Sequence, residues 1–474
     1  MIKRYFSNKD STITNAFKDD LTTRATGSNM GETDVLEIFS LYARTSDESS
    51  ELSRILIDFP IEDIQKDRQD KVIPESGSVK YFLKMYNAEH RFTLPKKYHL
   101  TLNPLSSSWN EGFGIDMETY KDSGVVNWIS SSDGTPWTNP GADYLEDIEK
   151  TYYIEEGTED IDLDVTDVVE QWISGTIENN GFLIKLSCSY EDDSRSYYTK
   201  KFFARGTQNF FKKPMLEARF DDSIKDDRGN FYKYTSFVSP DLQKHTLYFY
   251  NKFKGQLYDH PALGTGSAYV RMYAATTHPL YQTPIFQQDG SEVVTGSWVS
   301  TGIYKCDVTV NTSLETIYDF WFSDSAELSS VIGYGGAVEV KTIGETANFS
   351  SQDYNVKIKN LKSKYDTKEQ ARFQVFTRRA DWNPNSYTSV TSDVQSLIIE
   401  KMYYSIYRIS DNLVIVPFDT TDDSTRLSFD VYGNYFDFNM DILEPGYSYG
   451  IRFRISDTQG FYDTKEVFKF RLEE

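Results

Sequence analysis

The sequence contains little cysteine and no long apolar run, and each shortage excludes a class of protein. Cys188 and Cys306 are the two cysteines among 474 residues, too few and too far apart for a disulfide framework or a metal cluster. The opening MIKRYFSNKD lacks the apolar core of a secretory signal. No run approaches the roughly 20 apolar residues of a membrane helix. We therefore expect a protein that folds in a reducing cytoplasm and has no membrane partner.

Positive charge is also scarce: the chain has 50 Lys and Arg residues and 72 Asp and Glu residues, which gives a formal net charge of -22. Such a surface repels phosphate backbones, so nucleic acid is not an expected partner. The sequence lacks the H-E-x-x-H and P-loop motifs. The histidines are scattered along the chain: His90, His99, His245, His260 and His278. These absences predict a protein that is not an enzyme.

What the chain has in abundance is aromatic residues, with 34 Tyr and 31 Phe. Tyr, Phe, Thr, Val and Ile favour strands, and segments such as SGSVKYFLKMYNA alternate apolar and polar residues as half-buried strands do. We predict an all-β fold of three β-sandwich domains over residues 1–222, 223–345 and 346–474, the last two immunoglobulin-like. The stretch DDSIKDDRGN after the first domain is predicted to be an acidic linker.

One segment, IDLDVTDVVEQWISGTIENNGFLIKL (161–186), predicts a single short helix between two strands. Four apolar residues share one helical face: Val165, Val168, Val169 and Trp172. Thr166 or Asp167 is the expected amino-terminal cap and Gly175 the carboxy-terminal cap. A two-turn helix does not persist alone in water, so we expect it to pack through Trp172 on the sheet and close one end of the sandwich. The turn ENNG ends at Gly181 and leads into a buried strand.

A second local signature lies near the carboxyl end. In LEPGYSYGIRFRISD a Pro-Gly turn directly precedes a strand that carries tyrosines. This pattern is typical of a tyrosine corner, in which the hydroxyl of Tyr447 or Tyr449 would bond back across the turn.

Candidate binding residues are few. Trp128 and Trp137 lie in a loop rich in Gly, Ser and Pro; exposed, they would stack on a sugar ring, and otherwise they would cover the loop's own small core or an assembly contact. Trp109 and Trp172 are assigned to the structural framework.

Acidic residues also raise candidate sites. They form two groups: Asp162 with Asp164, and Glu111 with Asp116 and Glu118. We interpret both groups as solvated acidic surface rather than a catalytic pair. No cofactor is predicted, although the oxygen-rich loops EEGTEDID and DDSIKDDRGN are compositionally possible Ca²⁺ sites.

Residues 1–222 resemble the DNRLRE-type β-sandwich, the family 96 carbohydrate-binding module fold, which is jelly-roll-like. The matching pieces follow one order: DSTITNAFKDD, GSNMGETDVLEIF, SRILIDFP, SGSVKYFLKMYN, SSSWNEGFGID, the helix segment and KKFFARGTQNFFKKPMLEARF. The chain as a whole resembles virion structural proteins of tailed bacteriophages, in MIKRYFSNKDSTITNAF and SRILIDFP above all.

The resemblance implies a non-enzymatic capsid- or tail-associated decoration, collar or fibre protein. It would fold in the host cytoplasm, dock on other virion subunits, and be a homo-oligomer or multicopy component of the particle. A carbohydrate-binding module that recognises a surface polysaccharide is the alternative, and a polysaccharide depolymerase is the third.

Overall fold

The computed structural model describes residues 1–46, 49–90, 96–117, 125–342, 354–380, 396–457 and 460–474. The chain is an all-β protein of several β-sandwich layers, as its composition predicts. It divides into two compact units, Ile2–Asp221 and Asp222–Glu474. No helix in the described ranges is long and apolar enough to cross a membrane.

The first unit is built from strands and short helices. Its strands are β1 (Ile2–Phe6), β2 (Lys9–Thr14), β3 (Val35–Tyr42), β4 (Ser50–Asp58), β5 (Lys80–Met85), β6 (Tyr98–Pro104), β7 (Ser130–Ser132), β8 (Thr135–Pro136), β9 (Lys150–Ile154), β10 (Ile161–Asp164), β11 (Phe182–Leu186), β12 (Tyr197–Phe203) and β13 (Met215–Arg219). Its helices are α1 (Ile61–Gln69), α2 (Thr166–Ser174) and the single turn α3 (Cys188–Glu191).

Two antiparallel sheets form this unit. One has the order β1-β13-β5-β10, and the other has the order β12-β3-β4-β11-β6-β9 with β2 paired to β4. Tyr81, Leu83 and Met85 on β5 are fully buried, which confirms the alternation read in SGSVKYFLKMYNA. Strand β11 is buried along its whole length between β4 and β6.

Helix α2 occurs where the sequence predicts it, with a different amino-terminal cap. The carboxylate of Asp164 accepts the backbone N–H of Thr166 at 2.9 Å, whereas Asp167 pairs with Lys150 at 2.8 Å. The prediction of Thr166 or Asp167 as the cap is therefore wrong, because the helix begins at Thr166, with Val165 in the cap position, one residue earlier than a capping Thr166 requires. Gly175 ends the helix with a left-handed φ of 73°, as expected.

Helix α2 is not alone. Helix α1, which the sequence reasoning missed, lies against it: Arg68 makes a bidentate ion pair with Glu170 at 2.6 and 2.8 Å, and Gln65 donates to the carbonyl of Ile173. The Trp172 ring packs 4.5 Å from that of Phe182 on β11. The first turn of α1 has acidic residues and its last turn has basic ones, an arrangement that the helix dipole favours. The segment IEDIQKDRQ shows this charge pattern in the sequence.

The second unit is also built from strands. They are β14 (Phe231–Tyr232), β15 (His245–Tyr250), β16 (Lys252–Phe253), β17 (Gln256–Leu257), β18 (Ala268–Tyr273), β19 (Val294–Ser300), β20 (Ile303–Val308), β21 (Thr316–Phe322), β22 (Val331–Lys341), β23 (Tyr354–Ile358), β24 (Lys364–Asp366), β25 (Gln370–Arg379), β26 (Met402–Arg408), β27 (Val414–Val416), β28 (Ser428–Asp430), β29 (Gly433–Asn439), β30 (Ser448–Asp457), β31 (Gly460–Asp463) and β32 (Phe468–Glu473).

The middle part of the chain forms one sheet in the order β14-β22-β21-β18-β19-β20-β15. Strand β19 pairs with β18 at residues 294–296 and with β20 from residue 297 onward, with a register shift. The two layers expected of an immunoglobulin-like sandwich are thus joined edge to edge through β19. They enclose one core around the fully buried Trp321. We call this part the middle sandwich.

The carboxy-terminal part has two separate sheets, β23-β25-β29-β28 and β24-β32-β30-β26-β27 with β31 on β30. Strand β24 runs parallel to β32, whereas the other pairs are antiparallel. Two facing sheets of this kind suit the immunoglobulin-like prediction. The division into three domains stays a prediction, because the chain separates into two compact units.

Candidate functional site

The two tryptophans proposed as a sugar platform are buried. Trp128 and Trp137 are 6% and 5% exposed, and the indole N–H of Trp137 donates to the carbonyl of Asn127 at 2.9 Å. They belong to one core cluster: Ile13, Leu56, Leu105, Trp109, Val126, Trp128, Trp137, Ala142 and Leu183. The exposed platform is therefore wrong, because both rings are buried in a core that the loop shares with β2, β4 and β11.

The framework residues of the first unit lie as expected. Trp109 is buried and donates its indole N–H to the carbonyl of Asn180 at 3.0 Å. Gly181 has a φ of +85°, and a Cβ there would lie 2.2 Å from the carbonyl oxygen of Ile57. The close approach of the hairpin to β4 thus requires glycine.

The tyrosine corner of the second unit is made by Tyr449. Its hydroxyl donates to the carbonyl of Glu444 at 2.6 Å, and the residue is fully buried. Tyr447 lies outside, 38% exposed, with the guanidinium of Arg408 over its ring at 4.7 Å. The two alternatives left open by the sequence are thereby resolved in favour of Tyr449.

The first candidate calcium loop, EEGTEDID, holds a cation that the protein itself supplies. The buried ammonium of Lys200 donates to the carbonyls of Gly157 and Glu159 at 3.1 and 2.7 Å and to the side-chain oxygen of Asn87 at 2.7 Å. The Glu159 carboxylate turns inward and accepts the N–H of Gly157 at 2.8 Å. Burial lowers the pKa of Lys200 to about 8. Two of this loop's carbonyl oxygens, groups of the kind that Ca²⁺ binds, therefore already accept hydrogen bonds from Lys200.

The second candidate loop, DDSIKDDRGN, is equally self-contained and is not a solvated linker. Arg228 is buried and pairs with Asp226 at 2.7 Å and, in a short contact, with Asp319. Its guanidinium also donates to the carbonyl of Tyr248 at 2.7 Å, and the indole of Trp321 donates to Asp319 at 2.7 Å. Burial raises the pKa of Asp226 to about 6, against the opposing effect of Arg228.

The same segment is hydrogen-bonded to the carboxy-terminal sheets. Lys225 forms a parallel bridge with Phe429, and the Asp226 N–H donates to the Phe429 carbonyl at 3.0 Å. The expected linker is therefore part of the second unit. Within the described ranges no group of three His, Cys, Asp or Glu residues is arranged to hold a metal ion.

The acidic residues considered as catalytic pairs bond to other groups instead of facing a common cleft. Asp162 pairs with Arg219 at 2.9 Å, Asp164 accepts the N–H of Thr166 at the start of α2, and Glu111 pairs with Arg205 at 2.6 Å. Glu118 lies outside the described residues.

A surface feature that the sequence reasoning missed lies at one end of the middle sandwich. Two loops there, residues 235–244 and 277–288, carry five exposed apolar side chains, which we call the apolar tip: Phe237, Leu242, Leu280, Tyr281 and Phe286. Phe237 is 94% exposed, Tyr281 84% and Leu242 80%. A signal existed in the sequence, because YTSFVSPDL and HPLYQTPIF combine turn-forming Ser and Pro with large apolar residues.

Both tip loops are anchored to one segment that follows β20. On one side the N–H of Tyr234 donates to the carbonyl of Val310 at 3.0 Å, and on the other the N–H of Gln288 donates to the carbonyl of Thr309 at 2.8 Å. The side chain of Gln243 also donates to the carbonyls of Thr235 and Val238 at 2.8 and 2.6 Å. The exposed side chains therefore project from loops that internal hydrogen bonds hold in place.

A cleft of about 560 Å³ lies beside the first tip loop, between the middle sandwich and the carboxy-terminal sheets. Its lining combines apolar Val238 and Leu242 with the cations of Lys225, Lys233 and Lys244, among others.

The titratable groups in this cleft do not form a proton-transfer pair. Nδ1 of His245 is 3.9 Å from the nearest Asp227 oxygen, too far for a hydrogen bond. Nε2 of His245 is taken by the backbone of Tyr232 at 3.0 Å. Burial raises the pKa of Asp227 to about 7 and lowers that of His245. The geometry suits binding better than acid–base chemistry.

Comparisons with known proteins find no matching family model and no matching curated protein. Solved structures with partial similarity include a marsupial T cell receptor, at 8% identity over 48% of this chain and 68% of that chain, with a TM-score of 0.16. Another is the adhesin InvE of Yersinia pseudotuberculosis, at 14% identity over 37% of this chain and 45% of that chain, with a TM-score of 0.15. A DUF4785 family protein of Legionella pneumophila matches more of the chain, at 9% identity over 93% of this chain and 90% of that chain, with a TM-score of 0.13. TM-scores this low support no inference about function.

Proposed function

We propose that this protein is a non-enzymatic structural component of a tailed-bacteriophage particle that acts by docking on other virion subunits. The observation that carries the docking role is the apolar tip, in which Phe237 and Tyr281 expose most of their surface. Exposed apolar clusters of this kind mark protein–protein contact sites, and aromatic residues are enriched in interface cores. The phage particle itself is proposed from the sequence resemblance described above.

Rigid sandwiches suit this role. Loops already held by hydrogen bonds lose little conformational entropy when a partner binds, so more of the contact energy appears as affinity. Many copies on a symmetric particle would convert weak single contacts into durable attachment.

Density-gradient fractionation of intact particles tests the proposal. We expect the protein to band with the particles, and recovery in the soluble lysate alone would contradict a virion role. The double variant Phe237→Ser, Tyr281→Ser should band with particles far less than the wild type. Its control is Phe253→Ser, which removes an exposed phenylalanine (64% exposed) at the other end of β15.

A further inference from the structure

The segment that carries the apolar tip has the opposite charge from the rest of the chain. Residues 228–288 contain two acidic residues, Asp241 and Asp259, and six basic ones: Arg228, Lys233, Lys244, Lys252, Lys254 and Arg271. Of these cations, Lys233 and Lys244 flank the first tip loop, whereas Arg228 is buried between Asp226 and Asp319, and Lys252 and Lys254 follow the other end of β15. Residues 272–288, which include the second tip loop, contain no Asp or Glu. The two tip loops therefore carry a single carboxylate, Asp241, in a chain that is otherwise strongly acidic.

Two cations lie close to the tip. Lys233 and Lys244 both line the cleft with Val238 and Leu242, and Lys244 also lines a second depression of about 410 Å³ with Gln287, beside the other loop. Lys244 has an exposed ion pair with Asp241 at 3.1 Å, a kind of contact that contributes little and exchanges easily. In the cleft, four cations (Lys225, Lys233, Lys244 and Arg426) outnumber two carboxylates, Asp227 and Glu400, and lie beside apolar groups. The second depression also contains Asp289 and Asp307, so the cationic lining belongs to the cleft.

We infer that the apolar tip docks an acidic protein surface that itself presents exposed apolar side chains. This inference rests on the proposed docking function and names the chemistry of the partner. Carboxylates of the partner would face Lys233 and Lys244, while its apolar groups pack on Phe237 and Leu242. Charge complementarity of this kind raises the association rate and selects the partner.

Other occupants fit the charges less well. A nucleic acid or an anionic membrane would meet the repulsion of the remaining, strongly acidic surface and would leave the apolar side chains unmatched. A second copy of this chain, docked tip to tip, would bring like lysines together, because a two-fold interface places the same patch on both sides.

The binding test uses the full chain and a random copolymer of glutamate and tyrosine as the acidic, apolar probe. Polyglutamate, a lysine–tyrosine copolymer, single-stranded RNA and phosphatidylserine vesicles serve as comparison probes, all read by biolayer interferometry. We expect the glutamate–tyrosine copolymer to bind most tightly. Equal or tighter binding of RNA, vesicles or the lysine–tyrosine copolymer would overturn the inference.

Two tip variants and one matched control locate the contact. One variant combines Phe237→Ser and Leu242→Ser, and the other combines Lys233→Glu and Lys244→Glu. Each should weaken copolymer binding about tenfold or more, a loss expected of residues central to an interface. The control, Phe253→Ser with Lys252→Glu, makes the same chemical changes at the opposite end of β15. Equal loss in the control, or unchanged binding in both tip variants, would refute the assignment. Unchanged melting temperatures would show that all three variants fold.

The copolymer and particle results separate this inference from the proposed function. If the wild type bands with particles but the Lys233→Glu, Lys244→Glu variant bands equally well, the acidic partner is wrong and the virion role stands. If the wild type never bands with particles, the virion role fails, while selective copolymer binding still identifies what the tip recognises.

Discussion

At the residue scale, buried cations hold loops whose composition alone indicates solvent exposure or metal binding. Lys200 bonds the loop that contains Gly157, and Arg228 bonds Asp226, Asp319 and the backbone of β15. A buried ion pair adds little net stability, because desolvation offsets the attraction. Removing one partner is costly, because it leaves the other charge buried and unpaired.

This asymmetry predicts a large effect of Arg228→Leu. The change leaves Asp226 and Asp319 without their cation and should lower the free energy of unfolding by about 3–5 kcal/mol. Urea denaturation followed by tryptophan fluorescence measures it, since Trp321 bonds to Asp319. The control is Arg372→Leu, which removes a more exposed pair with Asp437 at 2.7 Å and should cost about 1 kcal/mol or less. Equal losses would contradict the burial argument.

A second residue-scale prediction concerns Asp10. Burial raises the pKa of its carboxyl from 3.8 to about 7, although the N–H of Arg205 opposes the shift. Because the folded pKa is the higher one, this group stabilises the fold fully below pH 3.8, and that contribution is lost as the pH rises through 7.

The Asp10→Asn variant tests this effect. The wild type should lose stability relative to Asp10→Asn between about pH 4 and pH 7, as measured by urea denaturation at several pH values. Taking the difference between the two proteins cancels the titration of Asp226 and Asp227, which the variant retains. A difference that does not change with pH would contradict the raised pKa.

At the scale of elements, the short helices depend on tertiary contacts as well as on local sequence signals. The apolar periodicity and Gly175 predict α2 from local signals, whereas its pairing with α1 depends on Arg68, which lies about a hundred positions from Glu170. The tyrosine corner, by contrast, depends on a local contact, because the hydroxyl of Tyr449 bonds the carbonyl of Glu444, five residues earlier in the turn before the strand.

The corner provides a matched pair of variants. Tyr449→Phe deletes the hydroxyl that bonds the Glu444 carbonyl and should lower the free energy of unfolding by about 1 kcal/mol. Tyr447→Phe deletes the same group, a tyrosine hydroxyl, two residues earlier at an exposed position. It should change the free energy of unfolding by less than about 0.5 kcal/mol. Thermal denaturation of both variants measures the difference, and equal effects would argue against the corner.

At the scale of the whole molecule, a net charge of -22 accompanies a surface that exposes the apolar side chains of the tip. Charge of one sign opposes self-association, and this protection disappears where the net charge vanishes. The isoelectric point calculated from the sequence is about 4.8.

We therefore predict a solubility minimum near pH 4.8, where exposed apolar surface is no longer kept apart by repulsion. Phe237→Ser with Tyr281→Ser should remain more soluble at that pH, while Phe253→Ser should behave more like the wild type. Light scattering across a pH series reads both effects. Identical profiles for all three proteins would show that the tip does not mediate association.

The sequence alone determined the fold class, the position of α2 and its Gly175 cap, and the turn that Tyr449 closes, because alternation, helical spacing and turn chemistry act over a few residues. Only the tertiary structure decided that Trp128 and Trp137 are buried, that Lys200 and Arg228 take the places where a metal was considered, and that the apolar tip is exposed. Those outcomes depend on which distant segments pack together, and local patterns do not carry that information.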